Sequence, residues 1–119
     1  MKRCLIVDDS MVSRMMLNEI LKRHFPDLAV TQAASGDAAL KAIADIAELD
    51  VAILDFNMPG MDGLELADAL VATGKVRNMA LLTANVQDSV KERASKRGLT
   101  FLNKPITEEP ICGFLKTIL

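Results

Sequence analysis

Short, continuously apolar runs alternate along the chain with longer segments in which apolar residues recur every three or four positions. The runs predict strands of a parallel sheet that is covered on both faces, and the longer segments predict the helices that cover it. Because strands and helices alternate regularly, we expect an α/β fold of five strands and five helices. The predicted strands occupy residues 4–7, 28–33, 51–54, 79–82 and 100–102.

The predicted helices lie between these strands and are bounded by capping and turn residues. Each has apolar residues at helical spacing on one face. They run from Ser10 as N-cap to His24, from Ser35 to Ile46, from Leu64 to Ala72, through Val86, Val90 and Ala94 up to Gly98, and through Ile111, Phe114, Leu115 and Ile118.

The first helix carries three methionines, Met11, Met15 and Met16, at helical spacing. Methionine fills irregular gaps in hydrophobic cores, and it also occurs on adaptable binding surfaces. The spacing favours core packing for most of the three. A partner-docking patch on the first helix is the alternative.

The bulk composition excludes several classes of protein. The 119 residues match one domain, which we expect to span 1–119. A net charge of -2, from 16 acids and 14 bases without a block of like charge, predicts neither a nucleic-acid partner nor a membrane surface. No apolar run approaches a membrane span of roughly 20 residues and no secretion signal is present, so we expect a cytoplasmic protein. Cys4 and Cys112 lack metal-binding spacing and are predicted to be buried thiols.

Acidic residues stand at the ends of two predicted strands. Asp8 and Asp9 follow the first strand and Asp55 follows the third. Because the carboxyl ends of parallel strands meet at one edge of a sheet, these acids are expected to lie together. Three carboxylates within roughly 5 Å would repel by about 3 kcal/mol per pair at an effective dielectric near 20. A cation is therefore expected, and since every ligand on offer is a hard oxygen, the prediction is Mg2+.

Thr83 and Lys104 follow the fourth and fifth strands at the same edge. A hydroxyl and an ammonium would satisfy the oxygens of a phosphoryl group bound to that cation. Asp55, which precedes a segment rich in turn-forming residues, is then the candidate carboxylate nucleophile. Any one of these acids alone would more often be a helix cap, but their joint occurrence at four strand ends favours a phosphate site.

These residues belong to four motifs: Val7-Asp8-Asp9-Ser10, Asp55-x-x-Met58-Pro59-x-Met61-Asp62-Gly63, Thr83-Ala84 and Lys104-Pro105. Together the motifs resemble the receiver domain of bacterial two-component response regulators, particularly the chemotaxis-type (CheY-like) single-domain receivers. The resemblance covers nearly the whole chain. It implies a flavodoxin-like, doubly wound (βα)5 three-layer sandwich with strand order 2-1-3-4-5.

The resemblance also implies a role for each residue of the site. Asp55 would be the phosphorylated aspartate, and Asp9 would bind Mg2+ directly while Asp8 acts largely through water. Asn57 would contribute its backbone carbonyl to the cation. Lys104 would pair with the phosphoryl group.

A conformational switch is implied as well. Thr83 would hydrogen-bond the phosphoryl group and move inward as Phe101 turns from exposed to buried. Many relatives have Tyr where this chain has Phe101, so packing alone must register the change. Asn57 and Asn85 would flank the approach of water and tune a slow self-dephosphorylation. The Lys104-Pro105 peptide is expected to be cis.

The implied partners are a histidine kinase or histidine phosphotransfer protein as donor, and an effector that binds the face formed by the fourth helix, fifth strand and fifth helix. The implied function is two-component phosphorelay signalling, with chemotaxis among the candidate pathways. An aspartate-dependent phosphatase is disfavoured, because Asn57 stands where such enzymes carry a second acid and no cap domain fits this length. Two further interpretations are a phosphorylation-independent binding module and a receiver cut from a longer regulator, which would carry no effector domain of its own.

Overall fold

A five-stranded parallel sheet with strand order β2-β1-β3-β4-β5 forms the centre of the protein. The computed structural model describes residues 2–84 and 87–119. The predicted α/β class and the strand order are confirmed. The elements are β1 (Arg3–Val7), α1 (Met11–His24), β2 (Ala29–Ala33), α2 (Gly36–Ala42), β3 (Leu49–Asp55), α3 (Gly63–Thr73), β4 (Val76–Thr83), α4 (Asp88–Lys96), β5 (Thr100–Asn103) and α5 (Glu108–Ile118).

The sheet separates two hydrophobic cores, because successive side chains of a strand point to opposite faces. In β3, Leu54 packs into the core beneath α2, α3 and α4, while the preceding Ile53 packs into the core beneath α1 and α5. Both side chains are almost fully buried. This two-sided burial explains why the strands read as continuous apolar runs in the sequence.

The α1 helix begins as predicted, but it buries a different face from the one carrying its methionines. Ser10 is the N-cap, and its side chain accepts a hydrogen bond from the Ser13 N–H. The buried residues of the helix are Leu17, Ile20 and Leu21. Met11, Met15 and Met16 are 64%, 60% and 41% exposed, so the prediction that most of them pack in the core is wrong. The cause is that both faces have helical spacing, and the branched aliphatic face is the one that meets the sheet.

The α2 helix ends earlier than predicted. Its last residue is Ala42, and Ile43 is the C-cap. Ile43 and Ile46 nevertheless pack into the core, Ile46 through a turn in which its N–H donates to the Ile43 carbonyl at 3.0 Å. Apolar spacing therefore continued past the end of the helix because the following turn is also packed against the sheet.

The remaining differences lie at segment ends. β4 starts at Val76, three residues before the predicted start, and α4 starts at Asp88. Val86, predicted on one face of the fourth helix, lies outside the described residues. α3 is closed by Gly74 as its C-cap, whose φ of 69° is the left-handed conformation that glycine adopts without strain.

Both cysteines are buried free thiols, as predicted. Burial raises the pKa of the Cys4 thiol to about 12, which keeps it protonated at neutral pH. In the part of the chain that the structure describes, no helix has the length and apolar composition needed to span a membrane.

Candidate functional site

Asp8, Asp9 and Asp55 converge at the carboxyl edge of the sheet. Each supplies one carboxylate oxygen, and these oxygens lie within 4.8 Å of one another. Asp8 and Asp9 follow β1, Asp55 is the last residue of β3, and these strands are neighbours whose Val7 and Leu54 are paired. Asp8 and Asp55 are 1% and 4% exposed, whereas Asp9 is open to solvent. The predicted juxtaposition of the three acids is therefore present.

Lys104 brings a positive charge into this cluster from the segment after β5. Its Nζ lies 3.2 Å from Oδ2 of Asp8 and 3.1 Å from Oδ1 of Asp55. Burial alone would lower the pKa of the lysine, but the hydrogen bond and charge of Asp55 and the charge of Asp8 outweigh it, so the pKa is raised. Lys104 is therefore charged across the physiological range. Its peptide bond to Pro105 is cis, as the family resemblance implied.

The turn after β1 is held by two contacts that the sequence pattern did not reveal. The Ser10 N–H donates to Oδ1 of Asp8 at 2.9 Å. The Arg14 Nη1 donates to the backbone carbonyl of Asp8 at 2.6 Å. The sequence predicted Ser10 only as a helix cap and gave no role to Arg14. The one signal for Arg14 was its place one helical turn after Ser10, which directs a long side chain back towards the strand end.

The Asp55 carboxyl has a shifted pKa. Burial is the largest cause, and it raises the pKa; the hydrogen bond from Lys104 lowers it, and the charge of Asp8 raises it again. The result is a pKa of about 6, against an ordinary value of 3.8. Desolvation therefore prevails over the partial neutralisation by Lys104, and the ionised carboxylate is held in an unfavourable place.

This raised pKa predicts a pH-dependent stability for the metal-free protein. Folded Asp55 holds its proton up to about pH 6, whereas the unfolded chain releases it near pH 3.8. The contribution of this group to the free energy of unfolding is therefore fully present below pH 3.8 and is lost as the pH rises through about 6. Asp55→Asn removes this loss, so the variant is expected to exceed the wild type by about 1–3 kcal/mol at pH 8 and to match it near pH 4. Urea unfolding of both proteins in a chelator measures the difference. A stability difference that does not change with pH would contradict the prediction.

Thr83 and Phe101 lie on the neighbouring strands β4 and β5. Thr83 ends β4 and is 1% exposed, and its backbone carbonyl accepts the Lys104 N–H at 2.9 Å. Phe101, on the adjoining β5, is half-buried, and the Nζ of Lys91 from α4 lies 5.5 Å from the centre of its ring. Thr83 is thus bonded to the segment after β5, and Phe101 links β5 to α4.

The loop after β3 approaches the acid cluster closely. The Gly63 N–H donates to the Phe56 carbonyl at 3.0 Å. A Cβ added at Gly63 would overlap the carbonyl oxygen of Asp55, so only glycine fits there without a backbone shift. Asn57 lies exposed in this loop, two residues after Asp55. Asn85, the other asparagine expected to influence water, lies outside the described residues.

The donor set suits Mg2+. All three acids offer carboxylate oxygens, and those of Asp8 and Asp55 are too well buried for bulk water to screen their charges. Repulsion between charges this close is about 3–4 kcal/mol per pair at an effective dielectric of 20, and Lys104 supplies only one positive charge. A small, hard divalent cation would offset the repulsion that Lys104 leaves uncompensated. Because Asp9 is exposed, such a cation could also bind water ligands.

Comparison with known proteins agrees with this geometry. Residues 4–116 match the family model described as the response regulator receiver domain. The chain is 31% identical over 117 residues to the chemotaxis protein CheY of Listeria monocytogenes, covering 98% of this chain and 97% of that one. The structure resembles that of the chemotaxis protein CheY4 of Vibrio cholerae with a TM-score of 0.88 and 31% identity, covering 100% of this chain and 99% of the other.

Some relatives are much longer than this chain. It is 33% identical over 104 residues to the cyclic di-GMP phosphodiesterase response regulator RpfG of Xanthomonas campestris, which covers 85% of this chain but 27% of that protein. The chain therefore spans about a quarter of that relative and nearly all of the Listeria protein. The matching region in RpfG is thus one part of a larger protein, whereas in the Listeria protein it is almost the whole.

Proposed function

Because this chain belongs to the response regulator receiver family and so takes part in two-component signalling, we propose that it accepts a phosphoryl group on Asp55 from a histidine kinase or histidine phosphotransfer protein, in a Mg2+-dependent reaction. The observation that carries this proposal is the placement of the Asp55 carboxylate. It is nearly buried, lies among two further acids, and has a lysine ammonium 3.1 Å from one of its oxygens.

The cation would be held by Asp8, Asp9 and Asp55, with the backbone carbonyl of Asn57 as a further ligand. When bound, it would withdraw negative charge from the oxygens of the transferred group. Its ligands have different tasks in this proposal. Asp9 faces solvent, where an incoming cation arrives, while Asp8 is fixed by Ser10 and Lys104 and keeps the pocket in shape.

In the transfer step, an oxygen of ionised Asp55 attacks phosphorus opposite the donor nitrogen. The new phosphorus–oxygen bond forms as the phosphorus–nitrogen bond of phosphohistidine breaks, and the imidazole leaves with that electron pair. Lys104 already contacts Asp55, so its charge is in place to offset charge on the phosphoryl oxygens. Binding of the cation also favours the ionised form of Asp55, which burial alone disfavours.

The acyl phosphate would then act as a conformational signal. We propose that Thr83 bonds a phosphoryl oxygen, that Phe101 turns inward, and that an effector reads the change on the face of α4, β5 and α5. Support comes from two separate contacts: the Thr83 carbonyl accepts the Lys104 N–H next to the acid cluster, and the Phe101 ring on β5 contacts Lys91 of α4. Only a difference in contacts between the two states can shift their populations, and the phosphoryl group supplies such a difference.

The protein is proposed to be a phosphoacceptor with slow self-dephosphorylation rather than an enzyme acting on external substrates. Asn57 and Asn85 would set the lifetime of the acyl phosphate. A cytoplasmic site of action and a role in chemotaxis are proposals that draw on the CheY relatives. A longer regulator that includes this receiver is the alternative suggested by relatives such as RpfG. The full set of acids, threonine and lysine weighs against a module that works without phosphorylation.

The proposal is tested by incubating the protein with acetyl phosphate and Mg2+ and recording its intact mass. In the presence of Mg2+ we expect the intact mass to increase by one phosphoryl group. In a parallel incubation with a chelator in place of Mg2+ we expect no increase. No gain with Mg2+ present, or an equal gain in the chelator, would refute the proposal. Steady hydrolysis of an external phosphoester would instead support the phosphatase alternative.

A further inference from the structure

Arg14 reaches from the first turn of α1 back to the end of β1. Its guanidinium Nη1 donates to the backbone carbonyl of Asp8 at 2.6 Å, and the arginine itself is half-buried. Asp8 is 1% exposed, so water has little access to that carbonyl. A buried carbonyl that loses its hydrogen bond is costly, which makes the contact a constraint on the turn rather than an incidental surface bond.

The remaining polar groups of Asp8 are also engaged. Its N–H donates to the Ala33 carbonyl at 3.2 Å, Oδ1 accepts the Ser10 N–H at 2.9 Å, and Oδ2 accepts Lys104 at 3.2 Å. The carboxylate and the amide are thus fixed by β2, by the turn and by the segment after β5. Arg14 fixes the carbonyl, which belongs to the same peptide plane as the N–H of Asp9.

We propose that Arg14 is a positioning residue for the cation site. By holding the Asp8 carbonyl, it sets the orientation of the peptide that joins Asp8 to Asp9, and so the placement of their two carboxylates relative to each other. This inference rests on the proposed function, since it assumes that these acids bind Mg2+. Arg14 itself touches neither cation nor phosphoryl group; it acts through the backbone, as outer residues of metal sites commonly do.

Charge and position make opposite predictions for Arg14. A guanidinium beside the acids repels a divalent cation, so if only its charge mattered, its removal would tighten Mg2+ binding. If it positions the turn, its removal would loosen the two acids and weaken Mg2+ binding. The direction of the change therefore distinguishes the two roles.

The test is a Mg2+ titration followed by the NMR amide signals of residues 8–10, without any phosphoryl donor. Arg14→Met keeps an unbranched apolar stem but removes every donor, and we expect its Mg2+ dissociation constant to rise about tenfold. Arg14→Lys keeps the charge and a single ammonium group, and its Mg2+ dissociation constant should lie between those of Arg14→Met and the wild type. Arg23→Gln is the matched control on the same helix, because Arg23 pairs with Glu108 at the far end, and it should leave Mg2+ binding unchanged.

The outcomes separate this inference from the proposed function. If the wild type binds Mg2+ and Arg14→Met binds it equally or more tightly, the positioning role is overturned and the proposed function stands. If the wild type does not bind Mg2+, the proposed function is refuted, and the positioning role of Arg14 is refuted with it. Should Arg14→Met not fold, Arg14→Lys decides: about threefold weaker binding supports positioning, because one ammonium donor replaces a planar group with several, whereas wild-type affinity contradicts it.

Discussion

An Asp55→Asn protein is expected to gain no phosphoryl group from acetyl phosphate or phosphoramidate, whatever the Mg2+ concentration. The amide has the size of the carboxylate but lacks the anionic oxygen that attacks phosphorus, so no acyl phosphate can form at this position. The neighbouring Asp8 is engaged by Ser10 and Lys104 and is not expected to substitute. Intact mass and peptide mapping measure the incorporation.

The matched control is Asp68→Asn, which makes the same chemical change at an exposed aspartate that pairs with Arg97 on the surface. It should be labelled like the wild type. Persistent Mg2+-dependent labelling of Asp55→Asn at the wild-type level would show that another residue is the nucleophile.

Lys104→Met is expected to bind Mg2+ but to be phosphorylated about 100-fold more slowly, a loss typical of removing one preorganised group that stabilises transition-state charge. The ammonium contacts both Asp8 and Asp55, so its removal leaves two buried carboxylates without their positive partner. Mg2+ binding should persist because a competing positive charge is gone. The conformational response to phosphorylation should also weaken, since Lys104 would no longer draw the phosphoryl group towards β5.

Labelling rates at saturating Mg2+ and NMR spectra before and after phosphorylation measure the two effects. Lys116→Met, at an exposed lysine of α5, is the control and should behave like the wild type. A labelling rate and a spectral change that both remain at wild-type values would show that Lys104 has no part in transfer or response.

The sequence predicts the cluster of acids well because its logic is topological. Once the strands are taken as parallel, Asp8, Asp9 and Asp55 must emerge at one edge, whatever the details of packing. The strand order is different: it was implied by the family resemblance, since the apolar runs do not specify which strands are neighbours.

Three features lay beyond the sequence pattern for physical reasons. The methionines of α1 and its Leu17 face both have helical spacing, so periodicity could not say which face meets the sheet. The spacing does not reveal the end of α2, because Ile46 packs partly buried against the core from a turn, and packing rather than helicity determines apolar spacing. The bond from Arg14 to a backbone carbonyl cannot be assigned from its spacing alone, because any long side chain one turn into the helix could make it.

The exposure of Met11 and Met15 also has a chemical consequence. Their thioethers are open to peroxide, while Met58 and Met79 are 8% and 9% exposed and largely shielded. Oxidation to the sulfoxide would convert an apolar helix surface beside the acid cluster into a polar one while sparing the interior. Of these four methionines, Met11 and Met15 on the surface of α1 should therefore be oxidised before the two in the folded core.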